Sequence, residues 1–190
     1  MFTMKRKFIF CVLIFSQFLI FSNEKFLSFT TGLSTGIPFY KEVDNEAENS
    51  DFHRIVIGTF GGINFNPIKQ ARFFVNVDLL ADFNFNSNEY NNFLHISFPV
   101  GFKFYPNIGG LNFGTAYSLG IKANFSKNTK DGRKNSFGAW GNGFQFSVEY
   151  DFSYKSKYTF FPALGCKWTF MPRGNYYYDN LLTFYIAENF

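Results

Sequence analysis

The sequence predicts an all-β protein, an eight-stranded antiparallel up-and-down transmembrane β-barrel that follows a cleaved signal peptide. Three observations support this fold class. Beyond a basic and apolar amino terminus, the chain divides into eight stretches in which apolar and polar residues alternate. The connections between these stretches are alternately short and long, and the last stretch ends on an aromatic residue, Phe190.

The composition agrees with strands that face lipid on one side only. Aromatic residues make up 23% of the 190 residues, and 31 of them are phenylalanine, yet the mean hydropathy is only −0.09. A helical membrane protein would be far more apolar, and no stretch after the amino terminus approaches the roughly 18 uninterrupted apolar residues that a helical span needs. Alternating lipid-facing and lumen-facing positions produce this mixture, because only every second residue must be apolar.

Residues 1–22 are predicted to be a secretory signal, followed by a barrel domain over residues 23–190. The signal has three basic residues, an apolar run over 8–15 and the small residue Ser22 at its end. An uncleaved anchor helix is the alternative interpretation. Loss of the leader lowers the formal net charge from +4 to +1, so the basic isoelectric point does not indicate nucleic-acid binding. It also leaves Cys166 as the single cysteine, which excludes an intramolecular disulfide.

The third predicted strand shows the alternation most clearly. Its apolar face consists of Phe73, Val75, Val77, Leu79, Ala81, Phe83 and Phe85, and its polar face of Asn76, Asp78, Asp82 and Asn84. The other strands are predicted over about 27–39, 53–65, 94–104, 111–125, 139–153 and 158–170, with a last strand that ends at Phe190. Successive side chains of a strand point to opposite faces, so each stretch has one apolar and one polar wall.

The polar wall is predicted to face the lumen. A soluble eight-stranded barrel such as a lipocalin would bury the apolar wall, but here the other wall carries charges that are too costly for a soluble core. These are Asp78, Lys103, Lys122, Glu149 and Lys167. Because buried charges must be paired, a closed network of salt bridges is expected, with Asp78 near Lys103 and Glu149 near Lys167 on adjacent strands. Eight strands leave room for side chains only, so a narrow channel ranks third among the functions considered.

The connections predict how the barrel is oriented. Long or polar segments cover 40–51, 86–91, 126–137 and 172–180, whereas those near 66–70, 106–110 and 154–157 are short and contain turn residues. Short turns at one end and long loops at the other are typical of outer-membrane barrels. Both termini are then expected on the periplasmic side.

The leader, the eight alternating strands and the final Phe190 make the chain resemble the small eight-stranded outer-membrane proteins, the group of OmpX-like barrels and the OmpA transmembrane domain. The resemblance covers nearly all of the mature chain. It implies contact with outer-membrane lipid and insertion by the barrel assembly machinery through the carboxyl-terminal strand. Glu188 departs from the family pattern, because it falls in phase with Ile186 and Phe190 where an apolar residue is preferred. The bias toward Phe, Asn, Lys and Tyr suggests an AT-rich bacterium such as a spirochaete.

Two serine motifs offer an enzymatic alternative, a lipid-acting esterase or lipase. Residues 32–36 match G-x-S-x-G, with Ser34 as nucleophile, but no helix follows as the nucleophile elbow requires. His95 and Ser97 resemble the His-x-Ser pair of outer-membrane lipid A deacylases, and Asp78 is a candidate orienting acid. The alternation places all four side chains toward the lumen, where small or polar residues are needed in any case. A structural role is therefore the preferred interpretation.

The predicted loops carry the most distinctive surface. The first is acidic over residues 41–51, and the others contain Lys127, Lys130, Arg133, Lys134, Tyr176, Tyr177 and Tyr178. Such residues suit contact with a host protein or a polyanion; ordinary solvated loops, or an interfacial aromatic belt for the tyrosines, are the alternative. No metal, cofactor or nucleic-acid motif is found. The sequence thus predicts a plugged barrel that displays surface loops for envelope integrity or for adhesin-like contact.

Overall fold

The eight strands form a closed barrel in which each strand pairs with the next and the last pairs with the first. The computed structural model describes residues 26–40, 53–86, 89–128, 134–154, 162–173 and 178–190. The strands are β1 Leu27–Tyr40, β2 His53–Ile68, β3 Ala71–Phe85, β4 Glu89–Phe104, β5 Leu111–Asn128, β6 Lys134–Asp151, β7 Ala163–Pro172 and β8 Tyr178–Asn189. The predicted all-β, eight-stranded antiparallel fold is confirmed. The predicted leader, residues 1–22, lies outside the described residues.

Pairing of β8 with β1 closes the ring. The register runs from Thr30 opposite Asn189 to Tyr40 opposite Asp179. Beyond β8, Phe190 continues the ladder, because its backbone N–H and C=O both bond to Phe29, at 2.8 and 3.1 Å. Closure gives each described strand a paired neighbour on both sides, which is the condition for a β-structure in lipid.

The barrel has an apolar exterior and a charged interior. Leu33 is 63% exposed and Phe73 53%, whereas Asp82 is 0% exposed and Lys122 and Glu149 are each 1% exposed. This is the polarity of a membrane-spanning barrel and the reverse of a soluble one. In the part of the chain that is described, no helix is long and apolar enough to cross a membrane.

Several strands extend further than the apolar alternation predicted. β4 begins at Glu89, five residues before the predicted start, and β5 and β6 reach Asn128 and Lys134, inside the predicted loop 126–137. The sequences of these extensions are rich in asparagine, serine and lysine and show no apolar period. The hydrogen-bonded ladder continues there because a hairpin, once in register, needs no apolar side chains to pair its backbone.

Three predicted boundaries near the last strands also shift. β7 begins at Ala163 instead of 158, with residues 155–161 outside the described residues, and it continues to Pro172. β8 begins at Tyr178, so part of the predicted loop 172–180 belongs to the sheet.

The short turns lie at the end of the barrel that holds Phe190. A two-residue turn, Lys69–Gln70, joins β2 to β3. The β4–β5 connection turns sharply at Asn107 and Gly109, which have positive φ angles of 63° and 59°. Asparagine and glycine are the residues that adopt this conformation at low cost.

A glycine on the inner face allows β6 and β7 to approach closely. A Cβ on Gly143 would collide with the backbone carbonyl oxygen of Phe170 and with the Cα of Met171. These are backbone atoms, which cannot rotate away as a flexible side chain could. The strand separation at this point therefore requires a residue without a side chain.

We expect Gly143→Ala to lower the free energy of unfolding by about 1–3 kcal/mol through overpacking. The matched control is Gly138→Ala, also on β6, where an added Cβ would come no closer than 3.6 Å to any atom; its effect should stay within about 0.5 kcal/mol. Urea unfolding in lipid vesicles measures both values. Equal losses in the two variants would contradict the close approach.

Candidate functional site

The lumen is crossed by an ion pair between Lys167 on β7 and Asp78 on β3. The lysine Nζ lies 2.5 Å from the Asp78 Oδ2 atom. β3 and β7 are four strands apart in a ring of eight, so they lie on opposite walls and the pair spans the whole barrel. Gln145 donates to the same carboxylate oxygen at 3.2 Å and to the Thr169 hydroxyl at 3.3 Å. Residues from β3, β6 and β7 are thus tied together at mid-lumen.

Two aromatic rings pack beside this central pair. The rings of Phe60 on β2 and Tyr185 on β8 meet edge to face, with centroids 5.3 Å apart. The Lys167 Nζ lies 4.8 Å from the centre of the Phe60 ring, within the range of a cation–π contact. The centre of the lumen is therefore filled by a charge pair with an aromatic wall around it.

Nearer the end that holds Phe190, the buried carboxylate of Glu149 is surrounded by donors. The Lys103 Nζ donates to it at 2.7 Å, the Tyr185 hydroxyl at 2.8 Å and the Asn112 amide at 3.0 Å. A charge-assisted set of this kind offsets the loss of hydration of the carboxylate. Glu149 thereby links β4, β5, β6 and β8.

A second ion pair lies at the same end. Arg72 on β3 contacts Asp151 on β6 with an N–O distance of 3.2 Å. The Arg72 guanidinium also lies 4.6 Å from the centre of the Tyr105 ring, and that ring stacks on Tyr154 at 4.7 Å. These contacts close the lumen at the end with the short turns.

Toward the opposite end, Asp179 is the centre of the charge network. Its Oδ1 accepts from the Lys122 Nζ at 3.0 Å, and its Oδ2 accepts from the Arg173 Nε at 2.7 Å. Arg173 also donates to the carbonyl oxygens of Gly120 and Ala139, at 3.1 and 3.2 Å. Beside this group, Arg54 and Asp82 form a bidentate pair at 2.9 and 2.7 Å.

All five lumen charges named from the sequence lie inside the barrel, but their partners differ from those expected. Lys103 lies opposite Arg72 in the β3–β4 register, and Asp78 lies six residues further along β3, which is about 20 Å in an extended strand. In the structure Lys167 pairs with Asp78 and Lys103 pairs with Glu149, so the expected Asp78–Lys103 and Glu149–Lys167 pairs are wrong. The observed pairs join residues at the same height across the lumen, whereas the expected ones join residues on adjacent strands.

The serine motifs also lie in the lumen. Ser34, His95, Ser97 and Asp78 line one cavity of about 30 Å³, together with Lys167 and Arg173 among others. This volume is room for a few water molecules at most, so the cavity does not admit an acyl chain.

The surroundings of His95 do not resemble a catalytic relay. The Arg173 guanidinium lies 3.5 Å from the His95 Nδ1, the atom through which a relay acid would hold the ring. Asp179 lies 3.9 Å from that nitrogen and already accepts from Lys122 and Arg173. The arrangement is that of a structural charge cluster.

Most of the predicted loop contacts lie outside the described residues. Lys130, Arg133, Tyr176 and Tyr177 belong to this group, as does the acidic segment 41–51. The backbones of Lys127, Lys134 and Tyr178 lie in strands, and Lys127 is opposite Lys134 in the β5–β6 ladder. At the other end of the barrel, Phe190 is 56% exposed on the outer face.

The charge network predicted from the sequence omits six residues that form ion pairs in the structure. Three of them lie within the predicted strands but were not named as members of the network: Arg54, Asp82 and Asp151. The other three, Arg72, Arg173 and Asp179, lie within two residues of a strand end, where the apolar alternation fades. Arg72 is one residue before the predicted third strand and in phase with its polar face. Among the described residues, no group of three or more His, Cys, Asp or Glu side chains could hold a metal ion.

The closed ring, the apolar exterior and the ion-paired lumen define a small eight-stranded transmembrane β-barrel. No protein-family model matches the chain, and no curated protein is significantly similar in sequence. Similar solved structures are found, and they include small eight-stranded outer-membrane barrels.

One similar structure is Ail, the attachment invasion locus protein of Yersinia pestis, in complex with the heparin analogue sucrose octasulfate. It has a TM-score of 0.60 at 8% identity, over 86% of this chain and 97% of that one. A structure of Ail described without this compound has a TM-score of 0.58, also at 8% identity and with the same coverage. Neisserial surface protein A has a TM-score of 0.54 at 9% identity, over 87% of this chain and 98% of that one. At these identities the likeness establishes the fold.

We expect Lys167→Met to lower the free energy of unfolding by about 3–5 kcal/mol, because it leaves the Asp78 carboxylate in the lumen without a cation. The double variant Lys167→Met with Asp78→Asn should recover most of the loss. Urea unfolding of the single and double variants in lipid vesicles gives the coupling energy between the two residues.

Lys69→Met serves as the control, since Lys69 lies exposed in the β2–β3 turn and should change stability by no more than about 0.5 kcal/mol. Additive effects of the two lumen substitutions would contradict the ion pair that spans the barrel.

Proposed function

We propose that this protein resides in the outer membrane, with both termini in the periplasm, and acts by displaying its longer connections at the cell surface. The observation that carries the proposal is the filled lumen. Around Lys167 the described side chains leave cavities of about 30 and 20 Å³, which is room for a few water molecules at most. A barrel with such an interior works as a rigid scaffold, and its function lies in what the connections contact.

The β5–β6 connection is the strongest candidate for contact with a partner. β5 and β6 are the longest strands, with 18 residues each. At their far end Lys127 pairs in register with Lys134 on β6 and with Tyr90 on β4. This register brings two basic positions of the sequence together at the end of the hairpin, where an anionic partner is favoured by charge.

Lys130 and Arg133 add two more basic residues to the same connection. The structure of Ail in complex with a heparin analogue supports a polyanion as the class of partner for this protein. The proposed role is therefore adhesin-like contact with a sulfated or phosphorylated polymer, or with a host protein that carries one.

Binding of sucrose octasulfate to refolded protein tests this role by calorimetry. A variant with Lys127, Lys130, Arg133 and Lys134 all changed to glutamine should bind about tenfold more weakly or worse, because each charge pair near the surface contributes up to about 1 kcal/mol. The matched control changes Lys69, Lys155 and Lys157 to glutamine, in the β2–β3 and β6–β7 connections, which topology places at the opposite end. No binding by the wild type, or equal losses in both variants, would contradict the role.

We further propose that the barrel assembly machinery acts on β8, the strand that closes the ring. Support comes from Phe190, whose backbone extends the β8–β1 pairing and whose ring is exposed on the apolar exterior. Outer-membrane lipid is then the direct neighbour of this aromatic surface.

A further inference from the structure

A groove lies on the outer face of the barrel, where β8 meets β1. Its volume is about 340 Å³, and its lining includes Thr31, Leu33, Thr59, Pro162, Ile186 and Glu188. It is more than ten times larger than either lumen cavity. A space of this size on the lipid-facing side accommodates a group much larger than one water molecule.

Small residues on the outer face of β1 and β2 create the groove. Thr31 lies opposite Glu188 on β8 and opposite Gly61 on β2. The threonine hydroxyls are already engaged with backbone, since Thr31 donates to the Phe60 carbonyl at 3.3 Å and Thr59 to the Gly32 carbonyl at 2.9 Å. The walls of the groove therefore present mainly methyl and methylene groups.

Glu188 places a carboxylate in this apolar setting. It is in phase with Ile186 and Phe190, which are 47% and 56% exposed on the outer face. Its Oε1 atom is buried and has no hydrogen-bond partner among the described residues. Phe29 and Phe190 lie beyond it toward the end of the barrel, so the carboxylate is one row inside the apolar band. A carboxylate there is costly unless a donor reaches it.

The described cations of the flanking strands do not supply that donor. Arg54 on β2 and Lys167 on β7 point into the lumen, where they pair with Asp82 and Asp78. The neighbouring threonines donate elsewhere, as described above. Charge complementarity therefore favours a cationic donor that approaches from the membrane.

We propose that this groove binds the primary amine headgroup of a phosphatidylethanolamine-class lipid, with the ammonium donating to Glu188 and the acyl chains lying along Leu33 and Ile186. A primary ammonium is compact and carries three N–H donors, so from within the groove it can donate a charge-assisted hydrogen bond to the Glu188 carboxylate. A choline headgroup has the same charge but no N–H and cannot donate. The site rests on the proposed membrane location and adds a lipid class to it.

Native mass spectrometry of the refolded protein tests the site directly. The protein is released from bilayers that contain equal amounts of phosphatidylethanolamine and phosphatidylcholine with identical acyl chains, and the retained lipids are counted. The wild type should retain the ethanolamine lipid about tenfold more than the choline lipid, the ratio that one charge-assisted hydrogen bond supports. Glu188→Gln should reduce this ratio to near one.

The matched control is Glu89→Gln, the same chemical change at the start of β4, at the opposite end of the barrel; it should keep the wild-type ratio. Folding of each variant is checked by its heat-modifiable mobility on gels. Equal retention of the two lipids by folded wild type, or an unchanged ratio in folded Glu188→Gln, overturns the lipid site and leaves the surface role intact. Failure of the wild type to insert into bilayers overturns both.

Discussion

The requirement on which this structure depends is that a closed β-ring in lipid must satisfy its polar groups internally. The backbone does so through the ladder, completed where β8 pairs with β1. The lumen charges do so through ion pairs, most of which join strands that are not neighbours, and the pair of Lys167 with Asp78 joins opposite walls. Removal of one partner leaves a charge that neither lipid nor a cavity of a few water molecules solvates well.

The location of any function follows from this requirement. Around Lys167 the described side chains leave a cavity of about 30 Å³, and Ser34, His95 and Ser97 are part of its lining; this space is too small for an acyl chain. The exterior is apolar nearly throughout and is suited to lipid. Specific contacts are therefore expected at two places: the end of the barrel opposite Phe190, and the few polar positions on the outer face. Among the described strands, Glu188 is the only carboxylate within the apolar band.

The sequence was sufficient to predict which wall each residue occupies, because side-chain direction along a strand has a fixed period of two. Asp78, Lys122 and Glu149 were placed in the lumen on this basis. It was not sufficient to predict which charges meet. The position of a residue along the barrel axis depends on the stagger between strands. This stagger places Lys103 opposite Arg72 and brings Glu149 within hydrogen-bonding distance of Lys103. Asp179 was missed because the apolar alternation ends before it, although the ladder does not. The leader, the loop contacts and the spirochaetal origin stay predictions.

Single-channel recording in planar bilayers at high salt shows whether the ion pairs keep the lumen closed to ions. The refolded wild type should insert without producing stable, discrete conductance steps, because the Lys167–Asp78 pair and the side chains around it cross the described part of the lumen. Insertion should be verified in the same preparation by the folded-form gel shift. If the correctly folded wild type gives long-lived steps whose current increases linearly with voltage, the lumen is an open channel and the ion pairs do not close it.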